Sequence, residues 1–285
     1  VAGYANLLAG TDGGGVFLST DNGTSWTIAN TGLTATIVRA LAASPSPGGT
    51  GNPILFAGTQ GAGVFLSTNN GESWVAMNTG LTSNSVYALL LKPTGSSTDL
   101  FAGTDNGAFL STNNGTSWSS VSSGLPANSG VSSFAVSPNG MGGSNLFAGI
   151  IGGVFLTTDN GTSWTGVNTG LTKKAVHTLA TSANGAAGTN LFAGTNGGGV
   201  FHSTNNGTSW TPVNSGLPAN AFVIFLAVDS NGTGGTNLFA ATWSSGVSLS
   251  TNNGTSWTAV NAALTNTDVN SIAVSHQGAG NTNLF

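Results

Sequence analysis

The chain has 285 residues, a formal net charge of -4 and only 4% charged residues, against roughly 25% in an average globular protein. Its fixed cations are Arg39, Lys92, Lys173 and Lys174. They do not form the clusters of Lys and Arg that displace counterions from phosphates or meet an anionic lipid surface, which argues against nucleic acid and membrane partners. At 39% apolar with 45 glycines, the composition supports a core with many turns rather than disorder, which needs low hydrophobicity and high net charge. No stretch of 18 apolar residues exists, so no transmembrane helix is expected, and Val1–Leu8 lacks the basic and apolar regions of a signal peptide. The absence of cysteine leaves the compartment open in a chain this long. The Ser-, Thr-, Asn- and Gly-rich composition favours an extracellular or cell-surface location.

In chain order, the first recognisable element is Leu7-Leu8-Ala9-Gly10-Thr11. It recurs as Leu-Phe-Ala-Gly-Thr or a variant at Leu55, Leu100, Leu146, Leu191 and Leu238, with a shortened copy at Leu284. Next comes Ser19-Thr-Asp-Asn-Gly-Thr-Ser-Trp26, whose copies end at Trp74, Trp118, Trp164, Trp210 and Trp257. A third element, Val-x-x-Leu-Ala-x-Ser or similar, precedes each later copy. The spacing of about 46 residues is that of a four-stranded propeller blade. In the second repeat, the short apolar runs bounded by Gly, Pro and Asn predict strand A at 38–44, B at 54–58, C at 63–67 and D at 73–78. Both faces of Val64-Phe65-Leu66 are apolar, as in a sheet covered on both sides. The fold expected is an all-β, six-bladed propeller of four-stranded antiparallel blades, occupying residues 1–285 as one domain. Strand A at 269–275 is expected to close the ring by joining strands B, C and D from the N-terminus. Asn283–Phe285 is then surplus, either adding to an edge or marking a longer repeat or surface protein.

The octapeptide sits between strands C and D. Its Asp or Asn (Asp21, Asn69, Asn113, Asp159, Asn205 and Asn252) accepts backbone N–H groups within the turn, and its Gly suits a positive φ. The tryptophans (Trp26, Trp74, Trp118, Trp164, Trp210 and Trp257) pack on the turn and neighbouring strands. Each contributes an upper bound of roughly 4–6 kcal/mol for about 150–250 Å² buried. This pattern resembles the Asp-box, or BNR, repeat of sialidase-type propellers, and is similar to sortilin-type receptors, xyloglucan-cleaving propellers and photosystem II assembly-factor propellers. The resemblance covers essentially the whole chain and implies the fold, while its members differ in function. Five sequons, at Asn22, Asn114, Asn160, Asn206 and Asn253, arise from the box itself; a sixth is Asn231. They are read as turn chemistry, with glycans possible in a eukaryotic secretory host.

Candidate function lies where the repeat departs from itself. The B–C loops carry Asp12, Gln60, Asp105, Ile151, Asn196 and Trp243, and the second residue of strand A is Arg39, Tyr87, Ser132, His177, Ile224 or Asn270. Trp243 with Asp12, Asp268, Arg39 and Asp105 offers an aromatic face beside carboxylates and a guanidinium, which suits a sugar; Tyr87 and His177 share that face. The sialidase resemblance implies three arginines on the substrate carboxylate, and this chain has one. Asp12 with Asp268 or Asp105 could form the carboxylate pair of a xyloglucanase-like glycoside hydrolase, but no spacing establishes a catalytic residue. His177, His202 and His276 lack metal-ligand spacing, and no cofactor motif is present. The reading is a non-catalytic extracellular propeller, binding a glycan or a protein or acting as a surface scaffold, with self-association or attachment to a larger assembly allowed by its low surface charge. The alternatives are the hydrolase and a purely structural repeat of a surface or appendage protein.

Overall fold

The computed structural model describes residues 6–45, 52–94, 97–184, 188–230, 236–262, 264–276 and 282–285; the Asn231 sequon lies outside them. They form an all-β, six-bladed propeller of antiparallel sheets, without helices. The chain divides into two compact units, residues 1–123 with 127–131 and residues 124–126 with 132–285. The first unit holds blade 1, β1 (Leu7–Gly10), β2 (Val16–Ser19) and β3 (Thr27–Ile28). It also holds blade 2, β4 (Val38–Ser44), β5 (Ile54–Thr59), β6 (Gly63–Ser67) and β7 (Val75–Ala76), and blade 3, β8 (Val86–Thr94), β9 (Ser97–Thr104), β10 (Gly107–Ser111) and β11 (Ser119–Ser120).

In the second unit, blade 4 is β12 (Val131–Pro138), β13 (Ser144–Ile150), β14 (Gly153–Thr157) and β15 (Thr165–Gly166). Blade 5 is β16 (Val176–Asn184), β17 (Gly188–Thr195), β18 (Gly199–Ser203) and β19 (Thr211–Pro212). Blade 6 is β20 (Val223–Ser230), β21 (Thr236–Thr242), β22 (Gly246–Ser250) and β23 (Thr258–Ala259), followed by β24 (Val274–His276) and β25 (Thr282–Leu284).

Strands B and C make the core because neighbouring sheets cover both of their faces. Phe56, Phe101, Phe147 and Phe192, at one repeat position in strand B, are fully buried, as are Val64 and Val200 in strand C. Strands A to C of blade 2 fall where the sequence places them, but strand D is only Val75–Ala76. The residues ahead of it are spent on the turn and on a contact with the preceding blade. One glycine position records how tight the sheet start is. A Cβ on Gly63, at φ 79°, would lie 2.3 Å from the Asn78 side chain, whose Oδ1 accepts the Val64 N–H at 2.8 Å. Asn30, Asn168, Asn214 and Asn261 anchor their own strand C in the same way.

The octapeptide turn is a closed hydrogen-bond circuit. Ser19 Oγ accepts the Gly23 N–H at 2.8 Å and donates to Asp21 Oδ1 at 2.8 Å. Asp21 in turn accepts the Ser25 N–H at 2.8 Å and the Ser25 hydroxyl at 2.6 Å. Asn22 and Gly23 both take left-handed conformations, at φ 55° and 85°, so the turn needs an Asn-Gly pair and not glycine alone. Where Asn replaces Asp, the last bond reverses, with Asn69 Nδ2 donating to Ser73 Oγ at 2.9 Å. The Ser25 hydroxyl and N–H, with Ser19, hold the Asp21 carboxyl down at about 2. The Ser163 hydroxyl, then Thr157 and the Ser163 N–H, do the same at Asp159.

The box tryptophan also holds blades together. Trp74 donates its indole N–H to Ala29 O and its backbone N–H to Thr31 O, both at 2.8 Å. Trp118 repeats this on Met77 and Thr79, Trp210 on Val167 and Thr169, and Trp257 on Val213 and Ser215. A Cβ on Gly32, Gly80, Gly170 or Gly216 would sit 2.2–2.3 Å from the carbonyl oxygen of the tryptophan it faces, so only glycine fits there.

The expected closing pair is not the one observed. β24 pairs with β25, Val274 opposite Leu284, and Ala273 exchanges backbone hydrogen bonds with Phe285 at 2.9 and 3.0 Å. Blade 1 is a three-stranded sheet, β1-β2-β3. The physical reason is local. Asn283-Leu284-Phe285 is itself a copy of a strand B start, and a hairpin partner a few residues away costs little loop-closure entropy.

Candidate functional site

The B–C loops and D–A connections meet on one face of each unit, joined by backbone hydrogen bonds that recur between blades. The Gly13 and Gly15 N–H groups both donate to Thr36 O, and those of Gly61 and Gly63 to Asn84 O. In the second unit, Gly152 donates to Lys174 O and Gly246 to Thr267 O. A β-bulge adds to this platform. The registers Val38/Ala40, Val86/Ala88, Val176/Thr178 and Val223/Phe225 each skip one residue. The skipped residues are Arg39, Tyr87, His177 and Ile224, four of the strand A positions at which the blades differ. A bulge releases a residue from the ladder and re-aims its side chain, so the variable position is also the one the backbone frees.

In the first unit the face is polar. Arg39 donates through Nε and Nη2 to Gln60 Oε1 at 3.0 and 2.8 Å and lies 3.5 Å from Asp12 Oδ1. Asp105 is exposed and accepts a hydrogen bond from the buried Ser83 hydroxyl. Tyr87 is half-buried at the bulge of β8. Asp12 and Arg39 are therefore brought together as the sequence suggests, and each carboxylate of this sector already has a partner.

In the second unit the face is aromatic. Trp243 is 55% exposed and lies nearly parallel to Phe222, with ring centroids 6.1 Å apart and 14° between planes. Phe222 packs at 4.6 Å on His177, whose burial pushes the imidazole below its ordinary value and favours the neutral ring. The three rings come from the B–C loop of blade 6, the residue before β20 and the bulge of β16. Ile151, on the B–C loop of blade 4, is 78% exposed on the same unit. Asp268 accepts the Ser244 N–H at 3.0 Å, next to Trp243. Ser244 sits at φ 66°, where Gly13, Gly61 and Gly197 occupy the corresponding loops. A non-glycine residue kept in this region costs about 1–2 kcal/mol, and such outliers gather at ligand sites.

Two members of this group escaped the sequence reading. Phe222 precedes a strand and reads as one more core residue. Ser244 was visible only as a serine where a loop glycine was due. His202, in contrast, is inside blade 5, stacked on Phe192 at 4.7 Å with Nε2 2.9 Å from Asn190 Oδ1. Among the described residues no three of His, Asp and Glu are grouped to hold a metal ion.

With this geometry in place, comparison with known proteins identifies the fold family. An ancestral GH74 enzyme matches with a TM-score of 0.72 at 23% identity, over 90% of this chain and 37% of its own. PorZ, a surface component of the type-IX secretion system of Porphyromonas gingivalis, matches at TM-score 0.64 and 19% identity, over 96% of this chain and 43% of its own. YCF48 bound to D1 peptide matches at 0.60 and 17%, over 85% of this chain and 73% of its own. The chain thus spans less than half the length of the first two. No curated protein matches the sequence. The family model described as the DUF6242 beta propeller domain matches residues 76–241, more than half of the chain, and the protein belongs to that family.

Proposed function

We propose that this propeller is a non-catalytic binding or surface-scaffold module displayed outside the cell, taking a glycan or protein ligand on its B–C/D–A face. One observation carries the reading: the exposed Trp243, stacked on Phe222 and backed by His177, with Asp268 and Ser244 at its edge. An aromatic face with polar groups at its rim suits the alternating C–H and hydroxyl surfaces of a sugar ring. The same geometry suits a peptide side chain, since exposed aromatic anchors dominate protein interfaces. On the first unit's own face, Arg39, Asp12, Asp105 and Tyr87 form a separate polar surface suited to hydrogen bonding. The repeated turn fits an Asp-box in this reading, with Asp21 and Asn69 closing the same circuit. Location outside the cell is supported by the surface role named for PorZ, and a peptide or glycan ligand by the names of YCF48 and the GH74 enzyme.

The test is a glycan array, run beside a peptide array, on the intact protein and on Trp243→Ala. Binding present in the first and lost in the second supports the site and names the ligand class. Absence of binding across both arrays removes the binding reading and leaves the scaffold.

A further inference from the structure

Blades 4 to 6 of the second unit carry a pattern of charge and apolar exposure that extends beyond the aromatic group. Of the six B–C loop positions, only Ile151 on blade 4 and Trp243 on blade 6 are apolar, and they are 78% and 55% exposed. Between them, on the connection that enters blade 5, stand Lys173 and Lys174, both exposed. They are the only Lys or Arg residues from 132 to 285, and among the described residues neither has an ion-pair partner. Of the three carboxylates in the same residues, Asp159 closes its own turn, Asp229 is buried and Asp268 accepts the Ser244 N–H.

Backbone bonds hold this order in place. Gly152, next to Ile151, donates its N–H to Lys174 O at 2.9 Å, and Asn196 on blade 5 donates to Ala175 O at 3.0 Å. Trp243 donates to Phe222 O at 3.0 Å, and the Phe222 ring packs on His177, three residues after Lys174. Lys173 is itself positioned: a Cβ on Gly198 would lie 2.6 Å from its Cγ, so its stem crosses the B–C loop of blade 5. A lysine whose stem is already packed gives up less freedom when its ammonium meets a partner.

We infer that this face of the second unit binds an acidic peptide segment, with an Asp or Glu at Lys173 and Lys174 and apolar side chains on Ile151 and Trp243. The inference rests on the binding reading proposed above and names its ligand. Charge complementarity selects an acidic partner. Ile151 favours a peptide over an acidic sugar, because a β-branched aliphatic side chain offers no flat face for a sugar ring, while it packs against another apolar side chain.

The experiment presents the whole protein to a positional-scanning hexapeptide array and, beside it, to an array of uronic-acid oligosaccharides. Selected peptides are expected to carry an acidic residue flanked by apolar ones. The double variant Lys173→Ala, Lys174→Ala should keep its circular dichroism spectrum, since Lys174 contributes only its backbone carbonyl to the loop bonds, and should bind those peptides about tenfold more weakly. Raising the salt from about 50 mM to about 500 mM should narrow the gap between wild type and that variant. Ile151→Ser should relax the preference at one apolar position without removing the acid preference. Binding that depends on Trp243 but selects neutral or basic peptides, or uronic-acid oligosaccharides alone, would overturn the inference and leave the site standing, as would acidic-peptide binding unchanged in the lysine variant. No Trp243-dependent binding on either array would remove the inference together with the reading beneath it.

Discussion

The B–C/D–A faces of the two units share a backbone and differ in chemistry. In the first, the bulge residue Arg39 reaches across to Gln60 and Asp12 and forms a hydrogen-bonded polar sector. In the second, the bulge residue His177 packs on Phe222, and Trp243 lies exposed beyond it. The loop hydrogen bonds beneath are alike, since Gly61 donates to Asn84 O and Gly152 to Lys174 O at the same 2.9 Å. The contrast shows that this fold keeps its platform in backbone bonds and in buried tryptophans. The side chains above are then free to vary without disturbing the sheets, so that function can be grafted on a constant repeat.

That separation of scaffold from face can be broken experimentally. The largest effect belongs to the scaffold. Trp210→Ala removes a 3% exposed ring and its indole hydrogen bond to Val167, and should cost about 3–5 kcal/mol in denaturant unfolding. Trp243→Ala should leave the unfolding midpoint unchanged while weakening ligand binding by about 2 kcal/mol or more, the range of an interface anchor. If it destabilises the protein as Trp210→Ala does, the second unit's aromatic face is core and the comparison fails.

Acid should act on the scaffold through two boxes. Asp21 and Asp159 are held at about 2 against an ordinary 3.8. A depressed carboxylate contributes stability that is present above the unfolded value and lost as pH falls through the folded one. Between about pH 4 and pH 2 the protein should therefore lose stability, and the double variant Asp21→Asn, Asp159→Asn should lose less, because Asn69 and its equivalents close the same circuit without a titrating group. Thermal unfolding across that pH range reads the difference. The smallest effect is expected from Arg39→Ala, which breaks an exposed pair and should change stability by less than about 1 kcal/mol.

Much of the fold was legible because the repeat reports it. The box spacing, the Leu-Phe-Ala-Gly-Thr strand and the A, B and C boundaries of blade 2 all follow from local composition. The pairing of β24 was not legible, since two copies of the same strand B start, at Leu7 and at Leu284, are equally good partners by sequence. The grip of each tryptophan on the preceding blade was hidden for another reason: its acceptors, such as Ala29 O for Trp74, are backbone atoms some 45 residues away and carry no side-chain signature. At the site, Trp243, His177 and Asp268 stood out as departures from the repeat, whereas Phe222 did not, because an aromatic before a strand looks like core until its neighbours are known.

The most direct test of the account is a side-by-side affinity measurement of the best array ligand with wild type, Trp243→Ala and Arg39→Ala. A centre on the second unit's aromatic face predicts that Trp243→Ala loses binding by about thirtyfold or more, the equivalent of 2 kcal/mol, while Arg39→Ala shifts it only a few-fold. Binding that survives Trp243→Ala and collapses with Arg39→Ala would place the ligand on the polar sector and contradict the account.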